Sequence, residues 1–288
     1  MASGKKTVLV TGATGFVGKA SVAALKAAGW QVTQGVRSAN SFVGGECISL
    51  DLSDPAAILA LAEKSCFEAI VHLGAHVDLS NSTAADAQMY VPNVLSTGCL
   101  AKLARDSGAR LIFASTAIVH GARTEYIGTN SSVIPDTAYA SGKWLGEQLL
   151  DAAQIDACIL RIAGIFGAGG PSHLGLNRAI DGAIKGQAPS QIGSGEVLRN
   201  YVYVKDVAQA IVHALQNELS GTHLLSGHDV MPIGIVLQEV CNIFLPGQSP
   251  RLQPGIDGVS QIIEPSPFLP KTRGYREALI DIRETVSL

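Results

Sequence analysis

Charge is scarce in this sequence: Asp, Glu, Lys and Arg make up 16% of its 288 residues and the net charge is −3. That balance leaves no basic footprint of the kind nucleic-acid binding needs, so nucleic acid is excluded as a partner. No stretch approaches the roughly 20 consecutive apolar residues of a membrane span, and a membrane role is excluded with it. The N-terminal Met1 to Lys6 lacks the apolar core of a signal peptide and runs straight into a strand pattern. The five cysteines (Cys47, Cys66, Cys99, Cys158, Cys241) are odd in number and never form Cys-x-x-Cys. They read as reduced thiols of a cytoplasmic protein. His72 and His76 have no third ligand candidate nearby, which excludes a zinc site. Internal repeats and low-complexity tracts are absent. Apolar residues (47%) and glycine (31 residues) are plentiful instead, a composition that suits an α/β enzyme built on buried parallel strands.

The apolar runs alternate with helical patterns. Strands are expected at Thr7–Thr11, Gln31–Val36, Cys47–Leu50, Ala69–Leu73, Arg110–Ala114 and Asp156–Ile162. Helices are expected at Val17–Ala28, Pro55–Lys64, Ala84–Ser107 with a bend near Pro92, and Tyr139–Ala153. Six such alternations imply a right-handed, doubly wound parallel sheet of the Rossmann type, covered on both faces. The expected dinucleotide-binding domain is 1–164, with 201–226 returning to it. A smaller substrate-binding region is expected from 165–200 and 227–288. Residues 122–137 read as a polar loop, the proline-rich 246–270 as irregular, and Glu277–Val286 as a last helix.

The first strand runs into Gly12-Ala13-Thr14-Gly15-Phe16-Val17-Gly18 and then a helix, the context a dinucleotide site requires. Gly12 permits the tight turn, Gly15 lets backbone approach a pyrophosphate, and Gly18 lets helix and strand pack closely. The helix start offers unpaired N–H groups to phosphate. NAD sites place Asp or Glu at the end of the second strand to bind the ribose 2′-OH. Val36 stands there, followed by Arg37-Ser38. An arginine suits a 2′-phosphate, so NADP is preferred over NAD.

Tyr139-Ala140-Ser141-Gly142-Lys143 opens the fourth helical pattern. Positions i and i+4 share a helix face, so Tyr139 and Lys143 point the same way. A cation one turn away favours the phenolate and is expected to lower the Tyr139 pKa. The pair is then an acid/base device for interconverting a carbonyl and an alcohol. Thr116, just past the fifth strand, is placed to hydrogen-bond a substrate oxygen. His76, at the edge where ligands bind in such sheets, is placed to touch substrate, whereas His72 reads as a core histidine.

Glycine loop, strand-end hydroxyl and Tyr-x-x-x-Lys occur here in one order. Together they resemble the extended short-chain dehydrogenase/reductases, the nucleotide-sugar epimerase/dehydratase family. The family's Thr-Gly-x-x-Gly-x-x-Gly is matched by Thr11 to Gly18, which assigns Thr14, Phe16 and Val17 to the cofactor beside the three glycines. Its adenine-contacting Asp-Leu is matched by Asp51-Leu52, its His-Leu-Ala-Ala by His72-Leu73-Gly74-Ala75, and its helix asparagine by Asn93. The resemblance implies that these residues line the cofactor and that Thr116, Tyr139 and Lys143 are the catalytic set, Lys143 also holding the nicotinamide ribose. In Ser-Ser-x-x-Val-Tyr-Gly, His120 replaces the tyrosine. Arg199, in Arg199-Asn200-Tyr201-Val202-Tyr203, matches the arginine that meets the substrate pyrophosphate, with a structural salt bridge as its rival role. Asp206 reads as a helix-start or structural carboxylate.

Two departures narrow the reading. Dehydratases carry Asp-Glu after the catalytic hydroxyl, and Ala117-Ile118 stand here, which argues against dehydration. Val36-Arg37 departs from the pattern of epimerases that retain NAD. The resemblance therefore implies an NAD(P)-dependent oxidoreductase of sugars, first an NADPH-dependent reductase of a nucleotide-linked ketosugar. A 4-epimerase with tightly bound NAD is the alternative, and a non-catalytic dinucleotide-binding regulator is the alternative of another class. The family also implies a homodimer paired through the helices around Asn93 and Tyr139.

Overall fold

The short aliphatic runs at Thr7–Thr11, Gln31–Val36 and Ala69–His72 become neighbouring parallel strands. The computed structural model describes residues 6–37, 46–63, 67–77 and 83–286. Ser38, Lys64, Cys66 and the middle of the 76–90 stretch lie outside the described residues. Strand β1 (Thr7–Thr11) leads into helix α1 (Phe16–Ala27), then β2 (Gln31–Val36) and β3 (Cys47–Ser49). Helix α2 (Pro55–Leu59) follows, capped by Asp54, whose carboxylate accepts from the Ala57 N–H at 3.1 Å. The expected helix to Lys64 gives way to a 3-10 turn over Ala60–Glu63. After β4 (Ala69–His72) come α3 (Thr83–Tyr90) and α4 (Ser96–Ser107), joined by a π-turn at Val91–Leu95. The expected bend at Pro92 thus takes the form of a wide turn. Proline has no N–H to continue the ladder, and the Ser96 N–H reaches back five residues to the Val91 carbonyl.

Strand β5 (Arg110–Thr116) is two residues longer than its aliphatic pattern, because Ser115 and Thr116 continue it. Then come β6 (Tyr126–Ile127), α5 (Ala138–Ala152), β7 (Ala157–Ile162), β8 (Ile165–Phe166), α6 (Gly175–Ile184), β9 (Ser190–Ile192), β10 (Leu198–Arg199), β11 (Val202–Tyr203), α7 (Val204–Gln216) and β12 (Gly221–Leu225). The chain closes with β13 (Met231–Pro232), α8 (Ile233–Phe244), β14 (Arg251–Gln253), β15 (Ile262–Ile263) and α9 (Tyr275–Val286). Seven strands form one sheet in the order β12-β7-β5-β4-β1-β2-β3. The pairs from β3 through β5 are parallel. This is a Rossmann order, reversing direction between β1 and β4. Leu9, Ile70, Leu111 and Phe113 of the sheet are fully buried in one cluster with Ile58, Leu100, Leu103 and Leu150 from α2, α4 and α5. At about 1.5–3 kcal/mol for each large apolar side chain, that layer is what α4 and α5 contribute to stability.

The chain divides into two compact units. The first holds residues 1–122, 132–161 and 207–223; the second holds 123–131, 162–206 and 224–288. Two stretches read as irregular contain strands of the second unit. β6, inside the expected 122–137 loop, pairs in parallel with β15, and β14 pairs in parallel with β9. These strands are two or three residues long, too short for an alternation to show. The second unit is held by Phe166 stacked 5.5 Å from both Tyr203 and Tyr275. The buried Asn200 amide adds bonds to Ser226, Gly227 and Ile263. Asp206 near the start of α7 pairs with Arg273 at 2.7 Å, the structural part expected of it.

Close packing of α1 against the first turn makes a testable contrast. A Cβ on Gly18 would overlap the Gly12 carbonyl oxygen and come within 2.8 Å of the Ala13 backbone. On Gly98, inside α4, it would meet only Leu149 Cδ1 at 3.5 Å. Gly18→Ala is expected to cost about 3 kcal/mol, and Gly98→Ala to gain up to about 1 kcal/mol. Urea denaturation of both variants checks this; equal midpoints would refute the packing argument.

Candidate active site

The carboxyl ends of β1, β2 and β4 open on a cavity of about 520 Å³ in the first unit. Gly12, Thr14 and Gly15 line it from the first turn, Arg37, Asp51 and Leu52 from the ends of β2 and β3, and Leu73, Gly74, Ala75 and His76 from the end of β4. Phe16, Val17 and Gly18 form the first turn of α1, beside it. Gln88 and Pro92 complete the wall; no sequence motif pointed to them.

The glycines divide the work. Gly12 has φ +67° and lies so close to the β4 loop that a Cβ would stand 2.6 Å from the Gly74 nitrogen. A Cβ on Gly15 would meet only the Gly12 oxygen, at 3.2 Å. Gly15 caps α1 without a side-chain bond, leaving the first-turn N–H groups without intrahelical acceptors. A pyrophosphate needs such a surface: bare backbone, free N–H groups and a positive helix end. The residues present therefore fit a dinucleotide.

Behind the cavity wall runs a buried chain of hydrogen bonds. The Gly74 N–H donates to Thr11 Oγ1 at 3.2 Å, and Thr11 Oγ1 lies 2.7 Å from His72 Nδ1. His72 Nε2 lies 3.1 Å from Thr97 Oγ1, which donates to the Asn93 carbonyl at 2.9 Å. Every group is satisfied if His72 is neutral with its proton on Nε2. Burial, aided by the Lys143 charge, pushes its pKa down to about 3, so it stays neutral, the core histidine that its apolar strand indicated. Asn93, 2% exposed, accepts from the His76 N–H at 2.7 Å and donates to the His76 carbonyl at 2.8 Å. Its side chain thus grips the loop that forms the wall.

On α5, Thr137 caps the first turn by accepting from the Ala140 N–H at 3.2 Å. Tyr139, Lys143 and Glu147 follow at successive i, i+4 positions. Lys143 is buried; its Nζ donates to the Ala114 carbonyl at 2.7 Å and sits 4.6 Å from the centre of the Phe113 ring. Burial pulls its pKa down to about 8, with Glu147 acting in the opposite sense. Tyr139 is half-buried, and burial pushes its pKa up to about 12. The expectation that Lys143 lowers the Tyr139 pKa is corrected here. The ammonium turns inward to a carbonyl, and desolvation of the phenolate decides the direction. Thr116 ends β5, half-buried, and accepts from the Ile118 N–H at 3.4 Å.

Four groups that the sequence reading gave no role, Glu147, Arg161, Ser115 and His120, are linked to one another beside these residues. Glu147, 3% exposed, takes three hydrogen bonds from Arg161, the shortest 2.6 Å, and one from Ser115. Arg161 also donates to His120 Nε2 at 3.1 Å, and His120 Nδ1 donates to the Ser132 carbonyl at 2.9 Å. The signal was available: Glu147 continues the Tyr139, Lys143 spacing by one more turn.

In the second unit, Arg199 donates to its neighbour's carbonyl, Leu198 O, at 2.8 Å, and among the described residues it has no carboxylate partner. A cavity of about 470 Å³ in that unit is lined by Arg178, Gln191, Tyr201, Leu237 and Gln253, among others. Among the described residues no three potential ligands could hold a metal ion, and no helix is long and apolar enough to cross a membrane. Cys47, Cys99, Cys158 and Cys241 are free thiols.

The Lys143 environment sets a pH dependence. Its folded pKa lies below the unfolded value near 10.4, so above pH 8 the unfolded chain binds more protons and stability rises with pH until about 10. Lys143→Met lacks this term. Urea midpoints between pH 7.5 and 9.5 are expected to climb in the parent relative to the variant, and parallel profiles would contradict the assignment.

Comparison with known proteins identifies the family. The model of the NAD dependent epimerase/dehydratase family matches residues 8–227. The chain is 30% identical over 226 residues to a UDP-glucose 4-epimerase of Mycolicibacterium smegmatis, covering 72% of each. It is 30% identical over 225 residues to a dTDP-6-deoxy-L-talose 4-dehydrogenase (NAD(P)(+)) of Kitasatospora kifunensis, covering 72% of this chain and 69% of that one. Against UDP-glucuronic acid decarboxylases it spans about half of the relative's length, 55%. Its fold matches a putative epimerase of Burkholderia cenocepacia with a TM-score of 0.84, at 21% identity over 97% of both chains. With its model matched over most of the chain's length, the NAD dependent epimerase/dehydratase family of enzymes is the one to which this chain belongs.

Proposed function

We propose that the protein is an NADP(H)-dependent oxidoreductase that reduces the keto group of a nucleotide-linked sugar. The observation that carries this reading is the cavity wall at the end of β2, where Val36 supplies no carboxylate and Arg37 is exposed on the lining. An arginine there meets a 2′-phosphate with two parallel N–H donors. The nicotinamide–ribose end would lie toward Tyr139 and Lys143, and the pyrophosphate on the Gly12–Gly18 turn. A nicotinamide bound there supplies the two-electron chemistry.

The chain's own residues supply the proton and the geometry. Tyr139 keeps its proton well above neutral pH, so it is a proton donor to a carbonyl oxygen becoming an alkoxide. That favours the reductive direction, since oxidation asks the same group to begin as a base. Thr116 steadies the oxygen, and Lys143, still largely charged at neutral pH, offers its remaining N–H bonds to the ribose. Arg199, without an ion-pair partner among the described residues, is the cation we assign to the diphosphate of the sugar nucleotide, with His76 as a further substrate contact. The likeness to the dTDP-6-deoxy-L-talose 4-dehydrogenase supports sugar-nucleotide redox chemistry.

A second reading, 4-epimerisation with retained NAD, is supported by the likeness to the UDP-glucose 4-epimerase and by Asp51 on the same cavity wall as Arg37. We also assign a homodimer to the chain, since Leu95, Leu145 and Leu149 of the π-turn and α5 remain 36–40% exposed; sedimentation velocity giving a monomer at micromolar concentration would rule it out.

Titration with NADPH and NADH, followed by nicotinamide fluorescence, separates the two readings. NADPH is expected to bind at least tenfold more tightly, Arg37→Ala to erase the preference, and Tyr139→Phe to abolish turnover while cofactor still binds. Equal affinities, or a protein purified with NAD in place, would give the epimerase reading the lead.

A further inference from the structure

The segment that presents Thr116 is fastened at both ends to one buried ion pair. Ser115, the residue before it, donates to Glu147 Oε1. His120, which closes the 3-10 turn begun at Ala117, accepts from Arg161 Nη1 at 3.1 Å. Glu147 and Arg161 are themselves joined by three hydrogen bonds, with side chains 3% and 14% exposed. Ser115 and His120 are 4% and 2% exposed. Each link is fixed in sense. Arginine only donates, so His120 must present the bare Nε2 and carry its proton on Nδ1, where the Ser132 carbonyl accepts it at 2.9 Å. Carboxylate only accepts, so the Ser115 hydroxyl must point at it. Breaking a buried pair like this by removing one partner is costly, which makes Glu147–Arg161 a rigid anchor.

We propose that His120 and Ser115 are positioning residues, which hold the Thr116 hydroxyl in its reacting place by tying the two ends of its segment to the Glu147–Arg161 pair. Neither touches the dinucleotide cavity, whose lining ends at the β4 loop and Pro92. Glu147 also stands one turn beyond Lys143 on α5, so the same anchor registers the strand-end hydroxyl against the helix that carries Tyr139 and Lys143. The inference takes the role of Thr116 from the proposed function; the anchoring itself does not depend on it.

The test uses the full-length protein with 13C-methyl threonine. His120→Leu removes the acceptor from Arg161, Ser115→Ala removes the other tie, and His120→Gln returns an acceptor to the Nε2 position. The methyl-axis order parameter of Thr116 is expected to fall clearly in His120→Leu and in Ser115→Ala and to recover in His120→Gln. NADPH affinity is expected to stay within twofold in all three. With NADPH and the nucleotide-linked ketosugar UDP-4-keto-6-deoxyglucose as the probe substrate, kcat is expected to drop about tenfold to a hundredfold in the first two variants, at a KM within threefold. An unchanged Thr116 order parameter in His120→Leu, or in Ser115→Ala should His120→Leu not fold, overturns the inference whatever the activity. A fall in Thr116 order without loss of kcat confines the tie to structure and overturns it too. If the parent itself oxidises no NADPH with this ketosugar, the proposed function is what fails, and the order parameters alone decide the tie: a fall that His120→Gln reverses supports it.

Discussion

Where the sheet reverses its strand order, two backbones meet with no side chain between them. Gly12 and the Leu73-Gly74 peptide approach so closely that a single Cβ on Gly12 would stand inside both. That contact fixes the turn after β1 against the turn after β4, and the cavity is the space left around their joined rim. The rest of the first unit serves this contact. Gly18 lets α1 begin directly above the turn, and Thr11 bonds both the Gly74 nitrogen and the His72 ring. Thr97 and Asn93 carry the same order into the helical layer.

Two buried polar systems flank the site and differ in kind. The His72 chain is neutral, and every donor in it has one acceptor; burial keeps it neutral by making the imidazolium costly. The Glu147–Arg161 system is charged, and its cost of desolvation is offset by the number of hydrogen bonds converging on one carboxylate. The first fixes backbone; the second fixes side chains and the short 3-10 turn. Lys143 lies between them, lowering the pKa of His72, with burial disfavouring its own charge and Glu147 opposing that effect.

Much of this could be read from the residues alone because the features are local. A strand, a glycine turn and a helix write their pattern within a dozen positions, and β1, β2 and the start of α5 stand within a residue of where that pattern put them. What was not legible depends on distant partners. Strands of two residues such as β6 and β15 exist only because each pairs with the other across more than a hundred positions. Ser115 reads as loop chemistry until Glu147 is seen opposite it. The protonation of Tyr139 went the other way from expectation for the same reason: spacing placed Lys143 on its face, but the Ala114 carbonyl captured the ammonium. The cavity residues Gln88 and Pro92 carry no chemical signature of their own. The position of Arg37 on the cavity wall, by contrast, needed only the strand end and its neighbour.

The wide turn at Val91–Leu95 accommodates one residue more than an α-helical turn does. In an α-helix each residue advances the face by about 100°, so α3 and α4 are two helices phased one residue apart along what looks like a single rod. A loop can lose a residue and merely shorten. Here the loss of one would rotate everything on one side of the turn, carrying the Asn93 amide off His76 or Thr97 off His72. Among relatives, a one-residue gap at this place therefore marks a different cavity wall, where a gap in a surface loop marks nothing.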